Sequence, residues 1–545
     1  MFLSSCNLEK SQTLNNHPSE DFSYITSISI DAMSQKPEVE KAYSAKIISW
    51  HPESGFAVIA SNSASAIATT NTTTELNSDA IKASVMAAGS SVWGGGISAW
   101  SSGSAVWGGG SSAWGGGVNQ SFILANESTW SRINLFAAHA LTSKLGSGIK
   151  VAVIDTGVDL YHPILSNQLA PATEWWDFVD NDALPQEVAG GAGYGHGTAT
   201  AGLILQVAPQ AKILPLRVLD SNGIGDLDDV IAAIDYALSK GAQIINLSLG
   251  TNVYSWPLQQ MVGYASDRGA YMIASAGNTG AFDQMLFPAK MTYWTDNNIV
   301  GHLFAIGSLT TDDSISSFSA TGWDMFAYAP GESLRTAYPD NRLVSATGTS
   351  FAAPLYSGAI ALMLAEMTTN NDRTDINGYL IANLNRDNIY DRFYAGGTTW
   401  MHGQGILDIH RLLFGLKLKN GSFERGNLDG WTTQNANVVV DGSINGFYTA
   451  RINGQGIISQ TIYGLQPNTT YVFKGFLGAQ TAGEYGWMGI KNYGGTEIKY
   501  KMEYLQHKTL SFTTGKRNTS ATIYFSKDQG TGIAIVDEAV VLPIY

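Results

Sequence analysis

One cysteine, Cys6, stands in 545 residues, so an intramolecular disulfide is excluded and stability must come from packing or bound ions. Dithiol redox chemistry is excluded with it. Charge is scarce as well: Asp, Glu, Lys and Arg make up 14 % of the chain, and 45 acidic against 31 basic residues leave a net charge of −14. That balance argues against nucleic acid as a partner. No uninterrupted apolar run reaches the ~18 residues of a membrane-spanning helix, and the best helical run, Leu355 to Met367, has the length of a buried core helix. What the chain has in quantity is glycine, 59 residues, and tryptophan, 14, a loop-rich and aromatic-rich composition more typical of secreted than of cytosolic proteins. At about 150 residues per domain the length predicts three or four units.

The composition shifts along the chain. Ala45 to Trp50 and Phe56 to Ile59, joined by His51-Pro52-Glu53-Ser54-Gly55, read as a small hairpin within an N-terminal region, 1–61. Residues 62–118 read as a low-complexity linker, rich in Ser, Thr, Asn and Ala at its start. It contains a heptad repeat, with Trp93, Trp100, Trp107 and Trp114 seven residues apart. Each Gly-Gly-Gly that follows Trp93, Trp107 and Trp114 costs a helix about 3 kcal/mol relative to alanine, so a coiled coil is excluded. Extended segments docked on a neighbouring surface and a plain linker both remain open.

From 119 to 415 strands alternate with helices. Lys150 to Asp155, Gln243 to Leu247, Tyr271 to Ser275 and Leu303 to Ile306 are short apolar runs of the kind buried on both faces. Leu227 to Lys240 and Leu258 to Arg268 have helical spacing, and Gly241 and Gly269 stop them. The alternation predicts a parallel α/β sheet. Past Leu416 helical signals cease and short period-two runs such as Tyr471-Val472-Phe473 and Ala521 to Phe525 predict an all-β sandwich over 416–545.

Three segments of the α/β region place a reactive side chain among glycines: Val153-Ile154-Asp155-Thr156-Gly157, Gly195-His196-Gly197-Thr198 and Gly348-Thr349-Ser350-Phe351-Ala352-Ala353-Pro354. A carboxylate, an imidazole and a hydroxyl are the parts of an activated serine nucleophile. Ser350 would open the helix that runs to Met367, where the N-terminal dipole favours developing negative charge. His196 would take its proton and return it to a leaving amine, and Asp155 would fix the imidazole tautomer. Asn278, in Ala274-Ser275-Ala276-Gly277-Asn278, would donate to the tetrahedral oxyanion beside the backbone N–H of Ser350. Each of these residues alone reads equally well as a turn former or a helix cap.

Together, the D-T-G, H-G-T, S-A-G-N and G-T-S-x-A-A-P motifs, in that order, resemble the subtilisin-like serine peptidases, the subtilase family, from about Trp130 to Leu413. The resemblance implies a seven-stranded parallel sheet flanked by helices, endopeptidase action on polypeptides, no catalytic cofactor, stabilising calcium, and an extracellular or bacterial cell-surface location. It marks Ser248-Leu249-Gly250 and Gly223-Ile224-Gly225 as the two edges that pair with an extended substrate. One departure is Ala199, where the family usually carries a second histidine. Two other readings are a non-catalytic binding or adhesion protein on a degenerate peptidase fold, and a relative that joins peptide ends.

The flanks carry further resemblances. Glu38 to Ser61 sits where subtilases carry an inhibitory propeptide, which leaves an inhibitor hairpin and an unrelated N-terminal module as its two readings. The C-terminal region, with Asn420-Gly421-Ser422-Phe423-Glu424 early and Asp537 late, resembles the galactose-binding-like jelly rolls of carbohydrate-binding modules. That likeness implies Glu424 and Asp537 as calcium ligands and glycan stacking on Tyr485, Trp487 and Tyr493. Leu3-Ser4-Ser5-Cys6 resembles a bacterial lipobox, which implies a lipid anchor at Cys6, although no signal region precedes it; the four also read as ordinary terminal residues.

Overall fold

The computed structural model describes residues 22, 24–63, 75–76, 83–84, 126–142, 144–291, 302–367, 380, 405–415, 418, 420–421, 423, 426–440 and 448–543. Cys6, the tryptophan repeat and Glu424 lie outside the described residues.

The centre is a seven-stranded parallel sheet. Its strands in chain order are β6 (Lys150–Asp155), β7 (Trp176–Asp177), β8 (Lys212–Arg217), β10 (Ile244–Leu247), β11 (Tyr271–Ser275), β12 (Leu303–Leu309) and β13 (Ala327–Pro330). In space they run β13-β12-β11-β10-β6-β8-β7. The chain first lays β7 and β8 on one side of β6, with β8 between β6 and the edge strand β7, then returns to lay β10 on its other side, so the order reverses between β6 and β10. The carboxyl ends of strands at such a reversal are the usual place for a site in a parallel sheet. Asp155 is the last residue of β6 and Ser248 follows β10 directly.

Two helices without a polar face fill the core beside this sheet. The helix His196–Val207 is buried at every residue, and the helix Thr349–Glu366 is buried from Thr349 to Ala365. They approach closely because Gly358 lacks a side chain: a Cβ there would stand 2.6 Å from Val207 Cβ. The amphipathic helices Leu227–Ser239 and Trp256–Asp267 have buried faces too. The second starts two residues ahead of the sequence expectation, since Ser255 Oγ caps it by accepting from Leu258 N–H and Pro257 fits its first turn.

A small unit precedes this body. Its strands β1 (Tyr24–Ser29), β2 (Lys46–His51), β3 (Phe56–Ser61) and β4 (Glu75–Leu76) form a sheet ordered β2-β3-β1-β4, and β2–β3 is the expected hairpin. All six residues of β3 are buried because both faces of the strand are covered. Ala57 and Ile59 face a small core with Ile28, while Phe56, Val58 and Ala60 join the main core. Strand period two thus divides one strand between two packing partners.

The last unit is all-β. Strands β16 (Thr432–Val440), β17 (Tyr448–Tyr463), β18 (Thr470–Ala479), β19 (Gly486–Lys491), β20 (Ile498–Met502), β21 (Gln506–Thr513), β22 (Ser520–Lys527) and β23 (Ile533–Pro543) form one antiparallel sheet ordered β20-β19-β22-β17-β23-β18-β21, with β16 beside β17. The sixteen-residue β17 pairs β23 through Ala450–Asn453 and β22 through Gly456–Tyr463, so one long strand serves two partners in succession. Phe423, Trp431, Phe473 and Phe525 belong to the core of this unit. The helix Ile409–Gly415 joins the two large bodies, with Leu412 and Leu413 in the main core and Phe414 in the sandwich core.

Candidate active site

Asp155 and His196 meet where the β6 strand end faces the first residue of the helix His196–Val207. Asp155 Oδ1 lies 2.7 Å from His196 Nδ1, and both side chains are fully buried. With a carboxylate opposite Nδ1, the tautomer that satisfies both groups carries its proton on Nδ1 and leaves Nε2 as an acceptor. The same Oδ1 accepts from Thr156 N–H at 2.7 Å, which fixes the carboxylate. Gly197 permits the approach of strand and helix, since a Cβ there would stand 2.0 Å from the carbonyl oxygen of Gly157.

Ser350 is the second residue of its helix and 3 % exposed. Its Oγ donates to the carbonyl of Ser248 at 3.2 Å, and Ser248 Oγ donates in return to the Ser350 carbonyl at 2.7 Å. Beneath lies a polar chain: Ser357 Oγ donates to Asn246 Oδ1 at 2.7 Å and Asn246 Nδ2 donates to Ser248 Oγ at 2.9 Å. The serine therefore sits on a hydrogen-bonded floor shared by β10 and its own helix.

Asn278 follows β11 in a buried loop. Its Oδ1 accepts from both the N–H and the hydroxyl of Thr349 at 3.0 Å, and Thr349 Oγ1 itself accepts from Gly277 N–H at 3.1 Å. Thr349 was not singled out by the sequence, although it stands inside the G-T-S motif. Neither was Glu187, a buried carboxylate that accepts from Thr156, Gly195 and Thr198. Desolvation pushes it up to about 8 against the pull of these donors. The hydroxyls of the D-T-G and H-G-T motifs, which need partners once buried, were the available signal.

The two edge segments are placed differently. Ser248 and Leu249 are buried, and at Gly250 a Cβ would approach Leu286 Cβ at 2.9 Å. Ile224 is 45 % exposed, and with Gly225 it pairs antiparallel to a strand of the same chain, β5 (Ala83–Ser84), in the register Ala83↔Gly225 and Ser84↔Ile224.

The N-terminal unit rests on the helices Leu227–Ser239 and Trp256–Asp267 through polar contacts. Glu53 Oε1 accepts from Tyr264 Oη at 3.1 Å and from Arg268 at 2.8 Å. Ser49 Oγ donates to Asp235 at 3.0 Å, His51 packs against Tyr264 at a tilt with centroids 3.8 Å apart, and Ser27 bonds Gln260.

In the sandwich, Asp537 is fully buried in β23. Among the described residues no group of three His, Cys, Asp or Glu side chains could hold a metal ion. The aromatic residues expected to stack on sugars are divided. Tyr493 is a core residue, 5 % exposed, whose hydroxyl donates to the Thr496 carbonyl, and the Trp487 and Tyr485 rings carry Lys499 and Lys501 at 4.5 and 4.0 Å. Among the described residues, no helix is long and apolar enough to cross a membrane.

Residues 146–397 match the profile of the subtilase family. The chain is similar to thermitase of Thermoactinomyces vulgaris, 36 % identical over 270 residues, which is 48 % of this chain and 87 % of that protein. It is similar to subtilisin Savinase of Lederbergia lenta, 34 % identical over 244 residues, 43 % of this chain and 82 % of the relative. A thermophilic serine proteinase of Bacillus sp. (strain AK1) is 36 % identical over 239 residues, 42 % of this chain and 55 % of the relative.

Proposed function

Because the chain belongs to the subtilase family and is a subtilisin-like serine endopeptidase, we propose that Asp155, His196 and Ser350 are its triad and that Asn278 supplies the oxyanion donor. The observation that carries this reading is the buried 2.7 Å contact between Asp155 Oδ1 and His196 Nδ1, which presets the tautomer a general base needs. Ser350 turns from the Ser248 carbonyl toward His196 Nε2 and attacks the scissile carbonyl as the imidazole takes its proton. Asp155 stays ionised and stabilises the imidazolium. The tetrahedral oxyanion receives the Asn278 side-chain N–H and the Ser350 backbone N–H at the positive end of the helix. The imidazolium then gives its proton to the leaving amine, and water, activated by the same histidine, releases the acyl group. Substrate lies extended between Ser248-Leu249-Gly250 and Gly223-Ile224-Gly225 by strand addition.

The N-terminal unit we read as an inhibitory propeptide. Supporting this are its contacts to two helices of the peptidase body and the pairing of Ala83–Ser84 along Ile224–Gly225, an edge meant for substrate. Residues 119–415 are then the catalytic unit and 416–545 an accessory sandwich. The reading includes an extracellular or cell-surface setting, with Cys6 as the residue that would carry a lipid.

The test is labelling by a serine-directed fluorophosphonate near pH 8, compared with Ser350→Ala and His196→Ala, with the adduct located by peptide mass spectrometry. Labelling at Ser350 that both variants abolish is expected, with turnover lowered about 10⁶-fold, the figure known for the subtilisin relative. A processed wild type that does not label at Ser350 would overturn the assignment and leave the binding-protein reading.

A further inference from the structure

The triad accounts for Asp155 and His196 but leaves the buried carboxylate of Glu187 without a task. Its backbone is fastened first: Glu187 N–H donates to the Val158 carbonyl at 3.2 Å and Gln186 forms a bridge with Val158. The side chain then turns inward and collects donors from both sides of the Asp155–His196 contact. From the strand side, Thr156 Oγ1 lies 3.2 Å from Oε1. From the helix side come Gly195 N–H to Oε2 at 2.9 Å, Thr198 N–H to Oε1 at 3.0 Å and Thr198 Oγ1 to Oε1 at 3.1 Å.

The two hydroxyl protons are committed by the rest of the network. Thr156 Oγ1 accepts from Gly197 N–H at 3.0 Å, and Thr198 Oγ1 accepts from Asp159 N–H at 2.8 Å, so each hydroxyl has its own proton to give to Glu187. All four groups therefore offer hydrogen, which suits a carboxylate and leaves a carboxylic acid with a proton to place. We propose that Glu187 is a positioning residue for the Asp155–His196 pair: in its ionised form it ties the strand end carrying Asp155 to the helix start carrying His196 and favours the imidazolium formed in the transition state. This rests on the triad assignment above.

The other groups that face Glu187 set the range in which this operates. Burial is the main cause that raises Glu187, and the Asp155 charge at the β6 end adds to that against the pull of the Gly195 and Thr198 donors, which puts proton loss near pH 8. Tyr194 and Tyr338 face it from the loop before the helix and from the hairpin Leu334–Ala346. Tyr194 is pushed up to about 12 and stays neutral throughout. Arg342 is engaged by Asp340 at 2.9 Å.

The experiment is a pH profile of kcat and KM between about pH 6 and 10 on a small chromogenic peptide, for the processed wild type, Glu187→Gln and Thr198→Val, with fluorophosphonate labelling in parallel. In the wild type kcat should rise through about pH 8, above the ordinary histidine limb. Glu187→Gln should lose that rise and about tenfold or more in kcat, with KM within about twofold because residue 187 does not touch substrate. Thr198→Val, which removes one donor, should carry the rise to higher pH, and it serves also where Glu187→Gln does not accumulate as folded protein. Profiles of wild-type shape in both variants, whatever their height, would overturn the inference, since a purely structural role scales a profile without reshaping it. A wild type that neither labels nor cleaves would overturn the peptidase assignment itself.

Discussion

Thr349 holds the amide of Asn278 by its oxygen end, with the backbone N–H and the hydroxyl of one residue both 3.0 Å from Oδ1. In the proposed assignment the NH₂ end is the one that serves the developing oxyanion, and the orientation of the Asn278 amide is set by Thr349, the residue before Ser350. Asn278→Ala should lower kcat about 10²- to 10³-fold with little change in KM, a range measured on a related enzyme. Thr349→Val removes one of the two restraints and should cost about tenfold, again in kcat. Steady-state kinetics on a peptide substrate decides this, and an unaltered kcat in Asn278→Ala would remove that residue from the oxyanion hole.

The N-terminal unit should inhibit when supplied as a separate peptide, and chain cleavage should fall beyond Ser84. Glu53 anchors the unit to both Tyr264 and Arg268, so Glu53→Ala should weaken inhibition in trans about tenfold, mostly by faster dissociation. N-terminal sequencing of processed enzyme and titration with the isolated unit check both. An active enzyme that keeps residues 24–84 attached and in place would contradict the propeptide assignment.

Acid should destabilise the fold through buried histidines. Burial, with Arg411's charge added, lowers His410 to about 4, and burial lowers His139, His162 and His302 as well. Each is neutral in the fold, whereas the unfolded chain takes up protons below about pH 6.5, so the stability present above that pH is lost as pH falls toward 4. Glu187 acts with the opposite sign, its contribution declining as pH rises toward 8. His410→Phe keeps a ring against Phe414 and should flatten the fall in Tm between pH 6.5 and 4. An unchanged slope in calorimetry would refute the role given to His410.

Gly197→Ala should abolish activity and destabilise the fold by about 1–3 kcal/mol, because the new methyl group meets the Gly157 carbonyl and pushes the His196 helix off the end of β6. Denaturant unfolding combined with labelling of Ser350 measures both effects. Full labelling in a stably folded variant would show that the strand and helix ends have slack.

Much of this arrangement was legible in the residues. Buried parallel strands are continuous apolar runs, so Lys150–Asp155 and Tyr271–Ser275 have the bounds their composition predicts. Asp155, His196, Asn278 and Ser350 stand in short motifs whose glycines mark close approach. Glu187 was hidden because Gln186-Glu187-Val188, ahead of a glycine-rich loop, reads as solvated polar chain; only the fold turns it toward two threonines. The β5 pairing was hidden for another reason. Two small residues, Ala83 and Ser84, carry no period, and their partner is 140 residues away. Tyr493 resembled an exposed platform since an aromatic followed by two glycines gives no sign of which side of a sheet it faces.

Phe414 gives the seam between the two large bodies a particular character. One turn of helix commits Leu412 and Leu413 to the peptidase core and the next residue to the sandwich, where Phe414 lies 5.7 Å from Tyr471. Leu141 borders both cores. A gene trimmed after Gly415 would thus yield an enzyme with an unsheathed phenylalanine, about 2 kcal/mol of lost burial and a sticky spot at its newly made terminus. Engineers seeking a minimal version should change Phe414 to a polar residue in the same step.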